Sequence, residues 1–205
     1  MGTKREEVRE KLTSQILEAA LFEFAEKGYS GATLRSIAEK AEVSNGVISK
    51  YFETKESLLM TLLKKNTLEQ IFAGLESDEP EDVFNCYIDF MKSLKKNRPV
   101  VFQFYYSIFK DSQLTGSPDG IVSVYLWKEF KGSTLESAIV RAQKEGNLPN
   151  GEPLNIYRLL VHMTFEILEH YTNIGIPVPE NSFILNILMF KGNKEPTIWR
   201  GVVKQ

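Results

Sequence analysis

Apolar residues recur with helical spacing in two short neighbouring stretches, residues 34–41 and 45–52. These positions are Leu34, Ile37, Ala38 and Ala41 in the first stretch and Ile48 and Phe52 in the second. Thr33 and Ser44 precede the two stretches as hydroxyl N-caps. Helices this short are not stable alone in water, so the pattern predicts that both pack against a larger element.

The chain before them supplies that element, because residues 3–27 keep helical periodicity. Thr3 and Glu6 have the spacing of a capping box, and Gly28 is expected just past the end of the helix. The three segments predict a three-helix unit. The first dozen residues mix basic and acidic side chains, so they either extend toward a phosphate backbone or form a solvated charged end. The basic ones are Lys4, Arg5, Arg9 and Lys11, and the acidic ones are Glu6, Glu7 and Glu10.

The polar side of stretch 45–52 indicates a nucleic-acid interface. Its side chains are short hydrogen-bonding groups with one apolar residue that can meet a thymine methyl, a set that suits the major groove of DNA. This set is Ser44, Asn45, Val47, Ser49, Lys50 and Tyr51. Candidates for phosphate contacts, which fix the register, are Thr33, Tyr51 and Lys55. Arg35 is a further candidate DNA-binding residue. The alternative is a helix-turn-helix used only as a packing unit, with a solvated polar face.

The remainder of the chain also predicts helices, separated by polar or proline-containing loops. The expected helices are 55–75, 81–96, 100–110 with Pro99 as its first residue, 121–144 with a bend or a break at Gly132, 153–174 and 182–190. The fold class is therefore all-α.

A resemblance strengthens this interpretation. The run ILEAALFEFAEKGYSGATLRSIAEKAEVSNGVISKYFETKESLL, residues 16–59, resembles the DNA-binding domain of the tetracycline-repressor (TetR) family of bacterial regulators. The resemblance implies an all-α homodimer with an N-terminal three-helix helix-turn-helix domain, residues 1–54, and a larger helical domain, residues 55–205, that binds an effector and dimerises. Two positions depart from the family pattern. Glu42 stands where a glycine is usual in the turn, and Ser49 stands where many members have an aromatic residue.

Charge restricts how such a protein would bind DNA. The 205 residues carry a net charge of −2, and the basic residues of the first 55 are matched by glutamates. DNA affinity must therefore come from the placement of charges and from dimerisation, and not from bulk charge.

Cysteine usage and hydropathy indicate the compartment. The single cysteine, Cys86, excludes an intramolecular disulfide and is expected to be a buried structural thiol in a reducing cytoplasm. No secretory signal and no apolar run of the ~20 residues that span a bilayer are seen. We expect a soluble, cytoplasmic protein without a membrane partner.

The middle of the chain is rich in aromatic residues, which fill a core or line a ligand cavity. Given the resemblance, we expect an effector pocket among the helices 81–96, 100–110 and 121–144. The candidate effector-binding residues are Phe84, Tyr87, Tyr105, Phe109 and Tyr125.

Residues 153–174 and 182–190 are apolar on more than one face, so they require cover on all sides. A second copy of the chain is the simplest cover, which predicts an isologous four-helix contact. The same symmetry would place two recognition helices about 34–36 Å apart, one turn of B-DNA.

The sequence gives little support for metal or enzyme chemistry. Four potential metal ligands share one predicted helix: His162, Glu166, Glu169 and His170. No second cluster elsewhere in the sequence completes a coordination sphere. We therefore prefer the interpretation that these residues belong to an interface or to a solvated face. No nucleophile–base pair and no phosphate-binding glycine loop is seen. The resemblance thus implies a repressor, without cofactor or metal, that leaves a palindromic operator when a small apolar or amphipathic effector binds. The alternative is a helical module that binds a protein partner, with impaired DNA reading.

Overall fold

The computed structural model describes residues 4–65, 72, 75–111 and 121–189, and within these ranges all regular secondary structure is helical. The helices are α1 (Lys4–Gly31), α2 (Leu34–Lys40), α3 (Asn45–Tyr51), α4 (Lys55–Lys64), α5 (Pro80–Asn97), α6 (Pro99–Lys110), α7 (Ile121–Phe130), α8 (Thr134–Lys144), α9 (Pro153–Asn173) and α10 (Asn181–Leu188). The all-α prediction is confirmed.

The chain divides into two compact units, Met1–Thr67 with Leu94–Tyr125, and Leu68–Ser93 with Leu126–Gln205. α4 and α6 belong to the first unit because both pack against α1. The compact units therefore do not follow the predicted boundary between residues 54 and 55, which stays a prediction about the division of functions.

The core of the first unit forms along α1. Ile16, Ala20 and Phe24 are fully buried on its inner side, and the ring of Phe24 lies 6.2 Å from the ring of Phe104 on α6. The helix ends its regular course at Gly28, whose φ of 69° breaks the α conformation, and one further turn continues to Gly31. Thr3, the predicted cap, lies outside the described residues.

Aromatic and aliphatic side chains fill the second unit. Phe130 and Tyr157 are both buried and stack with ring centroids 4.8 Å apart. Gly132, with a φ of 77°, interrupts the predicted helix 121–144, and Ser133 caps the new helix by accepting a hydrogen bond from the Glu136 backbone N–H at 3.2 Å. Of the two outcomes expected at Gly132, the break is the one observed.

The expected burial of Cys86 is wrong in detail. Tyr105, a candidate effector residue on α6, is half-buried, whereas Phe102 and Phe104 on the same helix are buried. Cys86 is half-buried and not buried. Burial and the nearby Asp89 carboxylate raise the pKa of the Cys86 thiol.

The other helix bounds agree with the pattern to within a few residues, and Pro99 occupies the first turn of α6 as predicted. The described part of α4 ends at Lys64, and the rest of its predicted course, to residue 75, includes positions outside the described residues. None of the helices in the described ranges combines the length and hydropathy needed to cross a membrane.

Candidate DNA-binding surface

α2 begins in a reciprocal capping box. Thr33 Oγ1 accepts a hydrogen bond from the Ser36 backbone N–H at 3.0 Å, and Ser36 Oγ accepts one from the Thr33 N–H at 3.1 Å. Two of the backbone donors at this helix end are thereby satisfied. The predicted N-cap role of Thr33 is confirmed, and its side chain stays exposed.

The turn between α2 and α3 is a tight C-terminal cap. The Val43 N–H donates to the Ala38 carbonyl oxygen at 3.0 Å, and the Glu42 N–H donates to the Glu39 carbonyl oxygen at 3.1 Å. This pair of bonds is the Schellman pattern, which requires a left-handed residue after the helix. Glu42 takes that conformation with a φ of 53°. Glutamate thus adopts a conformation that favours glycine, and the turn is strained.

α3 presents a polar face over an apolar one. Ser44 caps it by accepting a hydrogen bond from the Val47 N–H at 3.3 Å, and Ile48 on the inner side is fully buried. The outer side exposes Ser44, Asn45, Gly46, Ser49 and Lys50, with Val47 and Tyr51 half-buried beside them. The structure therefore leaves the predicted reading residues exposed or half-buried on a single short helix and its cap.

A buried carboxylate holds α1 against α2. The Glu23 side chain is only 4% exposed, and its oxygens lie 2.7 Å from Lys27 Nζ and 3.7 Å from Lys40 Nζ. Burial alone would raise the pKa of Glu23, but hydrogen bonds from Lys27 and Ser36 and the positive charges of Lys27 and Lys40 lower it below its usual value. Nearby, Gln15 donates to the Ala41 carbonyl oxygen at 2.7 Å and ties α1 to the start of the turn.

Lys55 has a structural role that the sequence did not predict. Its ammonium group donates to the carbonyl oxygens of Tyr29 and Ala32 at 2.6 and 2.9 Å, and lies 4.2 Å from the centre of the Tyr29 ring. Burial lowers the pKa of Lys55, although the Asp111 carboxylate acts in the opposite direction. These two bonds use two of the three N–H donors of the ammonium group.

Arg35 is exposed on α2, where its guanidinium pairs with Glu39 at 3.0 Å. Both side chains are more than half exposed, so this ion pair contributes little to stability and yields readily to a phosphate.

The five predicted effector residues do not all lie in one unit. Phe84 and Tyr87 are buried in the second unit. Burial, followed by the nearby Tyr157, raises the pKa of Tyr87 well above its usual value, while a hydrogen bond with Thr164 acts to lower it. Tyr105, Phe109 and Tyr125 belong to the first unit, in which Tyr125 Oη donates to the Leu63 carbonyl oxygen at 3.0 Å.

α9 buries one side completely and leaves an apolar side only half covered. Tyr157, Val161 and Leu168 are buried on the inner side. The residues left half-buried on the opposite side are Ile156, Leu159, Met163 and Ile167, and the exposed Ile174 and Phe183 continue the surface at the helix end and in α10. His162 and Glu166 lie on this same side, and no group of three or more His, Cys, Asp or Glu residues in the described ranges is arranged to hold a metal ion.

Comparison with known proteins identifies the same segment of the chain. Residues 16–61 match the family model described as bacterial regulatory proteins of the tetR family. Residues 16–61 therefore belong to this family of regulatory proteins. The match begins on the buried side of α1, covers α2 and α3, and ends within α4, so it spans the capped helices and the polar face described above.

Relatives and solved structures extend the likeness beyond the helix-turn-helix. The chain is 24% identical over 165 residues to the probable acrEF/envCD operon repressor of Escherichia coli (strain K12), covering 76% of this chain and 73% of that protein. The crystal structure of HlyIIR, a hemolysin II transcriptional regulator, matches with a TM-score of 0.62 at 22% identity over 87% of this chain and 97% of that one. The SmeT–triclosan complex matches with a TM-score of 0.57 at 19% identity over 87% and 90% of the two chains.

Three features of the site were missed by sequence reasoning. The Glu23–Lys27 pair has a detectable signal, because an acidic residue on the apolar stripe with lysine four positions later indicates a buried ion pair. Tyr157, stacked on Phe130, also occupies a regular inner position of α9. The bond from Gln15 to the turn has no such signal, because it depends on how two helices cross.

Proposed function

We propose that this protein is a transcriptional repressor that binds a palindromic operator as a homodimer and leaves it when a small apolar or amphipathic effector binds. The single observation that carries the proposal is the exposed polar side of α3 above the fully buried Ile48. The repressor name of the Escherichia coli relative supports the direction of regulation.

The reading step is assigned to α3. Asn45 and Lys50 are exposed and suit adenine and guanine edges, while Val47 is accessible enough to touch a thymine methyl. Ser44 and Ser49 offer hydroxyl groups, which can donate a hydrogen bond to a base edge or accept one from it. Because Ser49 is much shorter than an aromatic residue, the backbone contact made at this position in many relatives is absent or moved here.

Phosphate contacts are assigned to the two ends of this surface. Thr33 and Arg35 are exposed on α2, and Tyr51 and Lys55 follow on the far side of α3. These groups orient the protein on the duplex without reading its sequence. Arg35 gives up only a solvent-exposed ion pair when it binds a phosphate.

The homodimer is assigned to α9 and α10. One side of α9 is apolar but only half covered within one chain. Pairing with the same side of a second copy removes this apolar surface from water, which is favourable. The exposed Phe183 and Ile174 extend the same surface. An isologous contact of this kind presents two copies of α3 to the two halves of a palindrome.

The aromatic residues that the sequence singled out give two separate candidate sets for the effector, Phe84 and Tyr87 in the second unit, and Tyr105, Phe109 and Tyr125 in the first. The SmeT–triclosan complex supports an aromatic ligand for a protein of this fold. By linkage, the effector and the operator weaken each other's binding by the same factor.

A salt titration of DNA binding tests the proposal. The probe is a duplex that the protein selects from a random library, compared with a scrambled duplex of the same length. The affinity for the selected duplex should fall steeply as salt rises. Asn45→Ala should weaken selected-duplex binding by about 10- to 100-fold, with little change for the scrambled duplex.

The matched control is Asn150→Ala, the same change at an exposed position in the loop between α8 and α9. It should leave both affinities unchanged. A protein that selects no duplex, or whose binding is flat across salt, would refute the repressor assignment and favour the module that binds a protein partner.

A further inference from the structure

We propose that the first turns of α1, residues 4–11, form a second DNA contact that binds backbone phosphates beside the half-site read by α3. This proposal rests on the proposed function and adds to it a surface outside the helix-turn-helix. The surface is a basic side of the helix formed by Lys4, Arg5, Arg9 and Lys11, here named the basic face.

The segment projects from the folded unit. Each residue from 4 to 11 is exposed, including Val8 at 54%, and the fully buried positions of α1 start at Ile16. Eight helical residues extend about 12 Å. The segment is nevertheless part of one continuous helix with the buried part of α1, so its orientation is fixed by the core.

The helix separates charges that alternate in the sequence. Successive residues are rotated by about 100°, which places the four basic residues within an arc of about 160° and the three glutamates within about 100° on the opposite side. The glutamates are Glu6, Glu7 and Glu10. The four basic residues and the three glutamates nearly cancel in net charge, but because they lie on opposite sides of the helix, each side keeps its own local charge. A phosphate facing the basic side is closer to the cations, and the glutamates across the helix are partly screened at a Debye length of about 8 Å.

The basic face points to the side of α1 that carries the helix-turn-helix. Gln15 and Glu23, which bond to Ala41 and to Lys40, project from α1 within the same arc as the basic residues. Ala41 is the C-cap of α2, so the turns of α1 that precede Gln15 continue past the end of α2, on the side of the turn that leads to α3. A duplex in contact with Ser44 and Asn45 would therefore have a flanking phosphate run within reach of the basic face.

Charge complementarity selects the duplex backbone as the partner. The face offers two guanidinium groups, Arg5 and Arg9, one helical turn apart, together with two ammonium groups. Such groups bind phosphates without reading bases, so the contact contributes affinity and register but no sequence preference. An acidic protein partner is the competing occupant, and the experiment below distinguishes the two.

The test exchanges charges across the helix without changing composition. The variant Arg5→Glu, Glu6→Arg, Arg9→Glu, Glu10→Arg retains the net charge and removes the positive charge of the basic face, because Lys4 and Lys11 then share that side with two carboxylates. The control exchange Lys128→Glu, Glu129→Lys lies in α7. Binding of the full-length protein to its selected duplex is measured across a salt series, with hydroxyl-radical footprinting and circular dichroism on each variant.

We expect the exchanged variant to fold as the parent does, to lose about tenfold or more in affinity at low salt and to give a salt slope shallower by about two to four. Backbone protection should shrink at the flanks of each half-site, while the base preference is unchanged. The control exchange should bind as the parent protein does.

An exchanged variant with the parent's affinity, slope and footprint would overturn the inference while leaving the proposed function intact, and would assign the basic face to another partner. Failure of the proposed function has a different signature. In that case the parent selects no duplex, and Asn45→Ala changes nothing.

Discussion

α3 and α9 each bury one side completely, yet their outward sides have opposite chemistry. Ile48 and Leu168 are fully buried on the inner sides of the two helices. The outer side of α3 carries Asn45, Ser49 and Lys50, whereas that of α9 carries half-buried aliphatic residues. An exposed polar side with short donors and acceptors matches the edges of base pairs. An apolar side matches a second copy of itself.

The two helices are also held in place by different means. α3 has a serine cap and follows a hydrogen-bonded turn, and the neighbouring helix α2 is fixed by its own capping box and by Glu23. α9 has no side-chain cap and a proline in its first turn, so apolar packing around Tyr157 and Leu168 fixes its position. Polar anchors restrict the orientation of the reading unit, because hydrogen bonds are directional. Apolar packing is not directional, and it accepts hydrophobic substitutions that keep the total volume.

The largest effect is expected when the apolar side of α9 is given a charge. Leu159→Glu places a carboxylate in the proposed interface, and symmetry places it there twice. Burial of an unpaired charge opposes association, so the dimer dissociation constant should rise by about 100-fold or more. Analytical ultracentrifugation over a range of protein concentrations measures the change.

Val124→Glu is the control, since Val124 is 39% exposed on α7, outside the proposed interface. The parent protein should also show a melting temperature that rises with concentration, as expected when folding and association are coupled. A Leu159→Glu protein that stays dimeric at micromolar concentration would show that α9 is not the interface. The contrast between α3 and α9 would then not extend to their functions.

A smaller effect is expected from the polar anchor of the reading unit. Glu23→Gln keeps the shape of the side chain but removes the charge that Lys27 and Lys40 contact, and should cost about 1–2 kcal/mol of unfolding free energy at neutral pH. Because the pKa of Glu23 is lowered in the folded protein, its contribution is present above the unfolded value near 4.5 and is lost as the pH falls through the folded value. The difference between parent and variant should therefore shrink below about pH 4.5.

Urea unfolding at neutral and at acidic pH measures that difference. Glu26→Gln removes a carboxylate that is 66% exposed and contacts the same Lys40 at 3.7 Å, so it should change stability by less than about 0.5 kcal/mol. Equal losses in the two variants would show that burial of Glu23 adds nothing to the ion pair.

The reading unit was predictable from the sequence because its determinants are local. The caps Thr33 and Ser44, the inward pair Ile48 and Phe52, and the strained turn at Glu42 each depend on a few consecutive residues, and all of them are observed. The role of Lys55 was not predictable, because its carbonyl partners lie more than twenty residues earlier and are brought to it only by the packing of α4 on α1.

Burial in the aromatic helices was less predictable. An aromatic-rich helix such as α6 offers more than one apolar stripe, so periodicity does not decide whether Phe104 or Tyr105 faces the core. The phenolic oxygen of tyrosine gains from partial exposure, which is consistent with the half-buried position of Tyr105. The same ambiguity applies to the effector residues, whose roles depend on tertiary contacts.

The smallest effect, and the finest test of the reading unit, concerns the backbone of its turn. Glu42 holds a φ of 53°, a conformation that costs an ordinary side chain on the order of 1 kcal/mol and costs glycine almost nothing. Glu42→Gly should therefore raise the unfolding free energy by about 0.5–1 kcal/mol, reduced by the greater freedom of glycine in the unfolded chain. Glu42→Ala, which removes the carboxylate but keeps the β-carbon, is the matched control and should give no such gain. If both variants are equally stabilised, the carboxylate and not the backbone is the source of the strain. If operator affinity falls in the glycine variant while stability rises, the glutamate rigidifies the turn that aims α3, and the departure from the family pattern is functional.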